Sequence, residues 1–204
     1  LLAPLSNIEM SIDVMNQIKV PDPTLNKFLT VINSSIKKFR SLINDIATVA
    51  KVESGMLTIE MIDLDEIINN IEWSQENKIK STGTVINRNL EVKHIWFSKK
   101  NLRSILFNLI SNSIKFKSNE SPVINIHTKK ENDNVMLTVQ DNGIGISKSA
   151  LDKIFDMYGR VNHDIEGHGI GLYLAKKIVD ASGGNIIVES EPGKGSKFIV
   201  CFKA

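Results

Sequence analysis

SKKNLRSILFNLISNSIKF, residues 98–116, carries two patterns at once. Leu102, Leu106, Leu109 and Ile110, with Phe116, recur at helical spacing, and Ser98 ahead of them is a residue type that caps helices. The spacing predicts a helix from Ser98 to about Lys117 whose apolar arc packs on a sheet. On the adjoining arc Asn108, Asn112 and Lys115 stand at i, i+4 and i+7, one narrow face. A polar row of this kind fits a solvated face. It also fits a binding face: an Asn carbonyl offers a hard cation an uncharged oxygen, and a lysine one turn on pairs with phosphate. Two asparagines in a helix interior are poor helix formers, which weighs slightly against the solvated face. On this stretch alone the two readings balance.

Around this helix the periodicity is mixed. MLTIEMI, TVINRNL and VKHIWF read as strands, and Asp63 with Glu66 predicts a capping box for a helix through about Lys80. After the asparagine helix, VINIHTKK and NVMLTVQD are strands joined through the turn-forming ENDN. SKSALDKIFDMY reads as a short helix and GIGLYLAKKIVDASGG as a longer one with a glycine stop. NIIVESE and SKFIVCF close as a hairpin across PGKG. This is an α/β layer, one mixed sheet with helices against it.

Three glycine elements punctuate the layer. In QDNGIGIS, residues 140–147, a strand ends at Asp141, and Gly143 and Gly145 let the backbone approach a flat ligand. A carboxylate at a strand end accepts a hydrogen bond from an exocyclic amine such as that of adenine; plain turn chemistry fits the same residues. In EGHGIGLYLAKKI, residues 166–178, Gly167, Gly169 and Gly171 alternate ahead of a helix, as at a phosphate-binding N-terminus. The polar MYGRVNHDIE before it, residues 157–166, is a candidate lid. The last element, PGKGSKF, reads alone as a hairpin turn.

Residues 1–54 differ, with a helical period only. Leu1, Leu5, Ile8, Ile12 and Met15 form one seam. Leu25, Leu29, Ile32, Ile36, Phe39, Ile43, Ile46 and Ala50 form a second, after PDPT, where Asp22 suits a cap and Pro23 a first turn. Two helices joined by a short turn make an antiparallel hairpin that Ser54-Gly55 would end. Its seams are too apolar for a hairpin alone in water, so we expect a two-fold dimer forming a four-helix bundle. The resulting division is residues 1–54 and residues 58–204.

Bulk properties exclude little else. The 204 residues carry a net charge of +2 with scattered Lys and Arg, which gives no basic face for nucleic acid. No run approaches the roughly 18 apolar residues of a membrane span. The single cysteine, Cys201, lies in a strand-like run and reads as a buried, inert thiol.

Taken together and in this order, the elements resemble a sensor histidine kinase of two-component signalling. NLISNSIKF resembles the family's N box, DNGIG its first glycine box, IFDMYGR its phenylalanine box, GHGIGL its second glycine box and GKGS the small third one. The resemblance implies an α+β chain of two domains. Residues 1–54 would be the dimerisation and histidine-phosphotransfer hairpin, and residues 58–204 a catalytic ATP-binding sandwich of the gyrase-like type. It implies ATP and Mg2+ as ligands. Asn112 would ligate magnesium with Asn108 supporting the same face. Lys115 would contact phosphate, Asp141 would hold the adenine amine beside Gly143 and Gly145, and Phe155 and Arg160 would sit on the lid side. Gly167, Gly169 and Gly171, with Leu172, would cradle the phosphates. The implied partners are a second copy through the hairpin and a response-regulator receiver domain, with an upstream sensor or membrane region and a cytoplasmic setting.

The family's first helix carries H-[ED]-L-R-x-P-L. Aligning Pro4 and Leu5 puts the phospho-accepting histidine two residues before Leu1, so this chain is expected to bind ATP without phosphorylating itself. His94, His127, His163 and His168 read as two strand residues, a lid residue and a lid-edge residue. Ala3 stands where bifunctional members carry Thr or Asn, which implies weak phosphatase activity. Ser98 replaces a common Asp and is expected to cap equally well. The rival readings are a non-catalytic nucleotide-binding dimeric scaffold, a gyrase- or chaperone-like ATPase, and an anti-sigma serine kinase with the same pocket.

Overall fold

The computed structural model describes residues 2–17, 23–53, 58–159 and 169–203. The chain divides into two compact units, Leu1–Ala50 and Lys51–Ala204. In the first, helices α1 (Leu2–Gln17) and α2 (Pro23–Glu53) pack through Ile12, Leu29 and Ile36, and Arg40 donates to Ser6 Oγ at 3.0 Å. Most of the heptad seam stays exposed, including Ile8, Met15, Ile32, Phe39 and Ile46. Pro23 opens α2, as the sequence predicts; the Asp22 cap and the helix stop at Ser54-Gly55 lie outside the described residues.

The second unit runs β1 (Glu60–Asp63), α3 (Leu64–Ser74), α4 (Glu76–Thr82), β2 (Val85–Leu90), β3 (His94–Phe97), α5 (Lys99–Lys115), β4 (Val123–Glu131), β5 (Asn134–Asp141), α6 (Lys148–Leu151), α7 (Gly171–Ala181), β6 (Asn185–Glu191) and β7 (Gly195–Phe202). Five strands form one sheet in the order β2-β4-β5-β7-β6, with β2 parallel to β4 and every other pairing antiparallel. The sheet is mixed, as the sequence predicts. It is not the only one: β1 and β3 pair antiparallel with each other as a separate ribbon. Alternation explains this. Ile62, Ile95 and Phe97 point one way into the core, and the Phe97 ring meets Phe202 of β7 edge-on at 5.0 Å. The ribbon thus buries its apolar side against the core without joining the sheet's edge.

The helices cover one face. Ile124, Ile126 and Thr128 of β4, Leu137 and Val139 of β5, and Phe198, Val200 and Phe202 of β7 all point toward them. Asn125, Gln140, Ile187 and Glu189 lie exposed on the other side. Helix α5 is the centre of the core: Leu102, Ile105, Leu106, Leu109 and Ile110 have no solvent exposure. Truncating Leu106 to Ala is expected to cost about 3–4 kcal/mol. Trp73→Ala, at a side chain 79% exposed, is expected to change stability by less than about 0.5 kcal/mol. Urea unfolding of the two variants checks this.

Several local expectations differ from the structure. The helix predicted from Asp63 to Lys80 breaks at Gln75, a buried residue with φ −110° and ψ 10°, giving α3 and α4. Asp63 does cap, accepting from Asp65 N at 2.8 Å, but Glu66 pairs with Lys99 at 2.8 Å, which raises the Lys99 pKa. Ser98 occupies the N-cap position of α5, yet its hydroxyl makes no cap hydrogen bond; only its carbonyl serves, accepting from Leu102 N at 2.8 Å. The short helix of residues 147–158 shrinks to α6, and the chain goes on in tighter turns, with Lys153 N donating to the Ala150 carbonyl at 2.9 Å and Asp156 N to the Lys153 carbonyl at 3.1 Å. Cys201 is half-buried on the face away from the helices, since the inward positions of β7 are Phe198, Val200 and Phe202.

Candidate functional site

Asp141 is the last residue of β5, on the helix-facing side, and only 9% exposed. Its carboxylate is held by three donors from three elements. Oδ1 accepts from Gly143 N at 2.9 Å and from Ser196 N at 3.1 Å, while Oδ2 accepts from Ser113 Oγ at 3.0 Å. Burial pushes the Asp141 pKa above its ordinary value near 3.8, and the bonds from Gly143, Ser113 and Ser196 pull against that rise. Among the described residues Oδ2 has a single protein donor, so it retains capacity to accept another hydrogen bond.

The DNGIG loop is bolted in place on both sides. Ile144 N donates to the Phe116 carbonyl at 3.0 Å, at the end of α5, and this contact is where α5 stops. Gly193 N donates to the Ile144 carbonyl at 2.8 Å, and Ile146 N to Ser190 Oγ at 2.9 Å. Gly145 needs to be glycine here: its φ is +69°, and a Cβ would run into the Glu191 carbonyl. The PGKG turn, which alone reads as a hairpin turn, therefore forms part of the site. It positions both the loop and, through Ser196 N, the carboxylate.

The polar row of α5 faces the start of α7. Asn108 Nδ2 donates back to the Ser104 carbonyl at 2.9 Å, and a Cβ on Gly171 would collide with Asn108 Oδ1. Gly171 is thus a close-approach glycine between two helices. Helix α7 opens with Gly171 and Leu172, and its N-cap residue, Ile170, makes no side-chain hydrogen bond to the first N–H groups. Asn112 is half-buried, and among the described residues no protein group hydrogen-bonds its side-chain amide. Lys115 Nζ lies 4.6 Å from the centre of the Phe116 ring. Phe155 is half-buried, with Lys176 Nζ of α7 5.9 Å from its ring centre. Gly169 accepts from Tyr158 N at 3.1 Å. Arg160, Gly167, His163, His168 and most of the candidate lid lie outside the described residues.

Two residues that lie inside the quoted motifs without an assigned role there complete the carboxylate's surroundings. Ser113, 2% exposed, stands four residues after Leu109, within the apolar stripe of α5. Ser196 stands two before Phe198, at an inward-facing position of β7. The signal for both was a small hydroxyl at a position whose periodicity demands burial.

Asn112 suits magnesium. It supplies one neutral oxygen, and magnesium typically takes few protein ligands and fills its octahedron with water and phosphate oxygens. Among the described residues no group of three or more His, Cys, Asp or Glu gathers to cage a metal, so a cation here would depend on its anion.

The family model described as histidine kinase-, DNA gyrase B- and HSP90-like ATPase matches residues 98–204. Among curated relatives, Sensor protein RprX of Bacteroides fragilis (strain YCH46) is 32% identical over 208 residues, covering 97% of this chain and 40% of RprX. Sensor protein kinase WalK of Staphylococcus aureus is 29% identical, covering 98% of this chain and 50% of WalK. The chain thus spans 40% to 50% of the length of these two relatives. Among solved structures, full-length ShkA in complex with AMPPNP superposes with a TM-score of 0.82 at 22% identity, over 98% of this chain and 42% of ShkA. The Acinetobacter baumannii histidine kinase AdeS gives 0.73 at 20% identity, over 98% and 95%. At those identities the structural likeness speaks for the fold. With the match over 98–204 and the asparagine helix, glycine loops and buried carboxylate assembled in one unit, the chain belongs to the histidine kinase-, DNA gyrase B- and HSP90-like ATPase family, and its second unit is an ATP-binding catalytic domain of the histidine kinase kind.

Proposed function

We propose that this chain is the kinase core of a two-component sensor histidine kinase that binds Mg-ATP and hands the γ-phosphate to a histidine, from which an aspartate of a response-regulator receiver takes it. The observation that carries this reading is Asp141: one oxygen bound by two backbone N–H groups, the other left with a lone pair beside the glycine loops and the asparagine helix. That oxygen accepts the adenine amine. The start of α7 and Lys115 receive the phosphates, through backbone N–H groups and positive charge respectively. Asn112 would hold magnesium, with Asn108 supporting the same helix face, and the cation would supply positive charge to the phosphates. A neutral imidazole nitrogen attacks the γ-phosphorus, the bond to the β,γ-bridging oxygen breaks, and ADP leaves with the electron pair. The acceptor is a histidine two residues before Leu1 in the register set by Pro4 and Leu5. Residues 1–54 serve as its dimerisation and phosphotransfer hairpin and residues 58–204 as the catalytic domain, in the cytoplasm. The exposed apolar seam of α1 and α2 supports pairing with a second copy. Ala3 implies weak phosphatase activity toward the phosphorylated receiver. No specific observation favours the scaffold, the gyrase-like ATPase or the serine-kinase reading.

The test is calorimetric titration with AMPPNP in the presence and absence of magnesium. Binding that depends on magnesium supports the reading; no binding at millimolar ligand refutes it. Asn112→Asp is expected to weaken magnesium-dependent binding about tenfold, because it changes the charge and geometry of the ligand facing the metal.

A further inference from the structure

Asp141 alone does not explain why its free oxygen should face a ligand as an acceptor. A buried carboxylate is easily protonated, and a protonated one turns from acceptor into donor. Oδ1 is saturated by two fixed backbone donors, so whatever decides the state of Oδ2 decides what the site recognises. Among the described residues Oδ2 has one protein partner, the Ser113 hydroxyl at 3.0 Å. Among the described residues the influences on Asp141 are burial and the donors Gly143, Ser113 and Ser196, with no charged side chain among them. From α5 the group facing it is Ser113, from the glycine loop Gly143 N, and from β7 Ser196 N.

Ser113 has a single proton and two acceptors in reach, Asp141 Oδ2 at 3.0 Å and the Leu109 carbonyl at 3.1 Å. With the hydroxyl turned to Asp141, Oδ2 is an oriented acceptor with one lone pair left. Turned to Leu109, the hydroxyl faces Oδ2 with its own lone pairs, an arrangement that suits only a protonated or donor group at that position. Ser113 is buried at 2% exposure on a rigid helix, so solvent does not compete for the choice.

We propose that Ser113 is a positioning residue that sets the purine selectivity of the site, fixing Asp141 Oδ2 as an acceptor for a 6-amino group and against a 6-oxo group. This rests on the nucleotide reading above. Ser113 touches neither the nucleotide nor the metal; it acts through Asp141.

The experiment measures affinities of AMPPNP and of inosine triphosphate, with magnesium, for the wild-type chain, Ser113→Ala and Ser113→Thr, with thermal melts to establish folding. Ser113→Ala is expected to lose about tenfold in AMPPNP affinity, the scale of one hydrogen bond to a charged group, with little change for inosine triphosphate. The ratio between the two nucleotides therefore shrinks by about tenfold, and Ser113→Thr, which keeps the hydroxyl, restores it. A wild-type ratio in folded Ser113→Ala overturns the inference and leaves the nucleotide reading standing, as does an equal loss for both nucleotides. Failure of the wild-type chain to bind either nucleotide overturns both.

Discussion

Replacing Asp141 by Asn is expected to weaken adenine-nucleotide binding by about 100-fold or more while leaving the protein folded and more stable than the wild type at neutral pH. The orientation of the new amide is dictated by its neighbours. Two backbone donors, Gly143 N and Ser196 N, converge on the Oδ1 position, so the amide oxygen must sit there. The amide nitrogen then takes the Oδ2 position and presents N–H where the wild type presents a lone pair. An exocyclic amine meets a donor: a charge-assisted hydrogen bond worth about 1.5–3 kcal/mol is lost and a donor–donor clash is added. A 6-oxo purine suffers no such clash, so preference should move toward inosine triphosphate. Calorimetry with both nucleotides checks this.

The fold tolerates the change, because Ser113 can accept from the new amide and donate to the Leu109 carbonyl, 3.1 Å away. Stability follows from the pKa. Burial raises the Asp141 pKa above 3.8, so the folded chain holds this proton more tightly than the unfolded chain. Between the two pKa values the folded state carries more protons, and wild-type stability falls as pH rises through that window. The amide of the Asp141→Asn variant does not titrate. The stability gap in favour of the variant should open from about pH 3.8 upward and become constant above the folded pKa. Denaturant melts of both proteins across pH measure it; a gap that closes with rising pH would contradict the burial assigned to this carboxylate.

Gly145→Ala is expected to cost about 3 kcal/mol or more, a fall in Tm of roughly 10 °C for a domain of this size, and to abolish nucleotide binding. The left-handed backbone contributes about 1–2 kcal/mol of this. The remainder is steric, since the new Cβ meets the Glu191 carbonyl and cannot retreat without breaking the bonds at Ile144, Ile146 or Gly193. Gly193→Ala is the control. Its φ is +79°, but nothing lies within 4 Å of a Cβ there, so it should cost only the backbone share. Thermal melts of the pair separate conformational strain from crowding; equal losses would mean that the loop is not clamped against the hairpin.

Much of this molecule is written in residue spacing. The apolar arc of α5 and the strand alternation of β4, β5 and β7 each follow from which positions must be buried, whereas of the α2 seam only Leu29 and Ile36 are buried. Periodicity is a local property, and each segment carries its own. Asn108, Asn112, Gly143, Gly145 and Gly171 stood out as candidates for a related reason: Asn inside a helix and Gly beside a strand end are costly unless something uses them.

What the spacing could not say is which element each polar group would meet. The separate β1–β3 ribbon and the diversion of Glu66 from its capping box turn on partners distant in the chain, Phe202 for Phe97 and Lys99 for Glu66. The same holds at the site. That Ser113 and Ser196 close on one carboxylate, 28 and 55 residues away in sequence, and that the PGKG turn clamps the DNGIG loop, depend on packing α5, β5 and β7 around one core. By itself the sequence determined most of the elements and the buried faces of α5 and the central strands. Only the tertiary structure decided how the site's residues are wired together, because a hydrogen bond between distant segments is fixed by where the packed core brings their ends, and no local period encodes that.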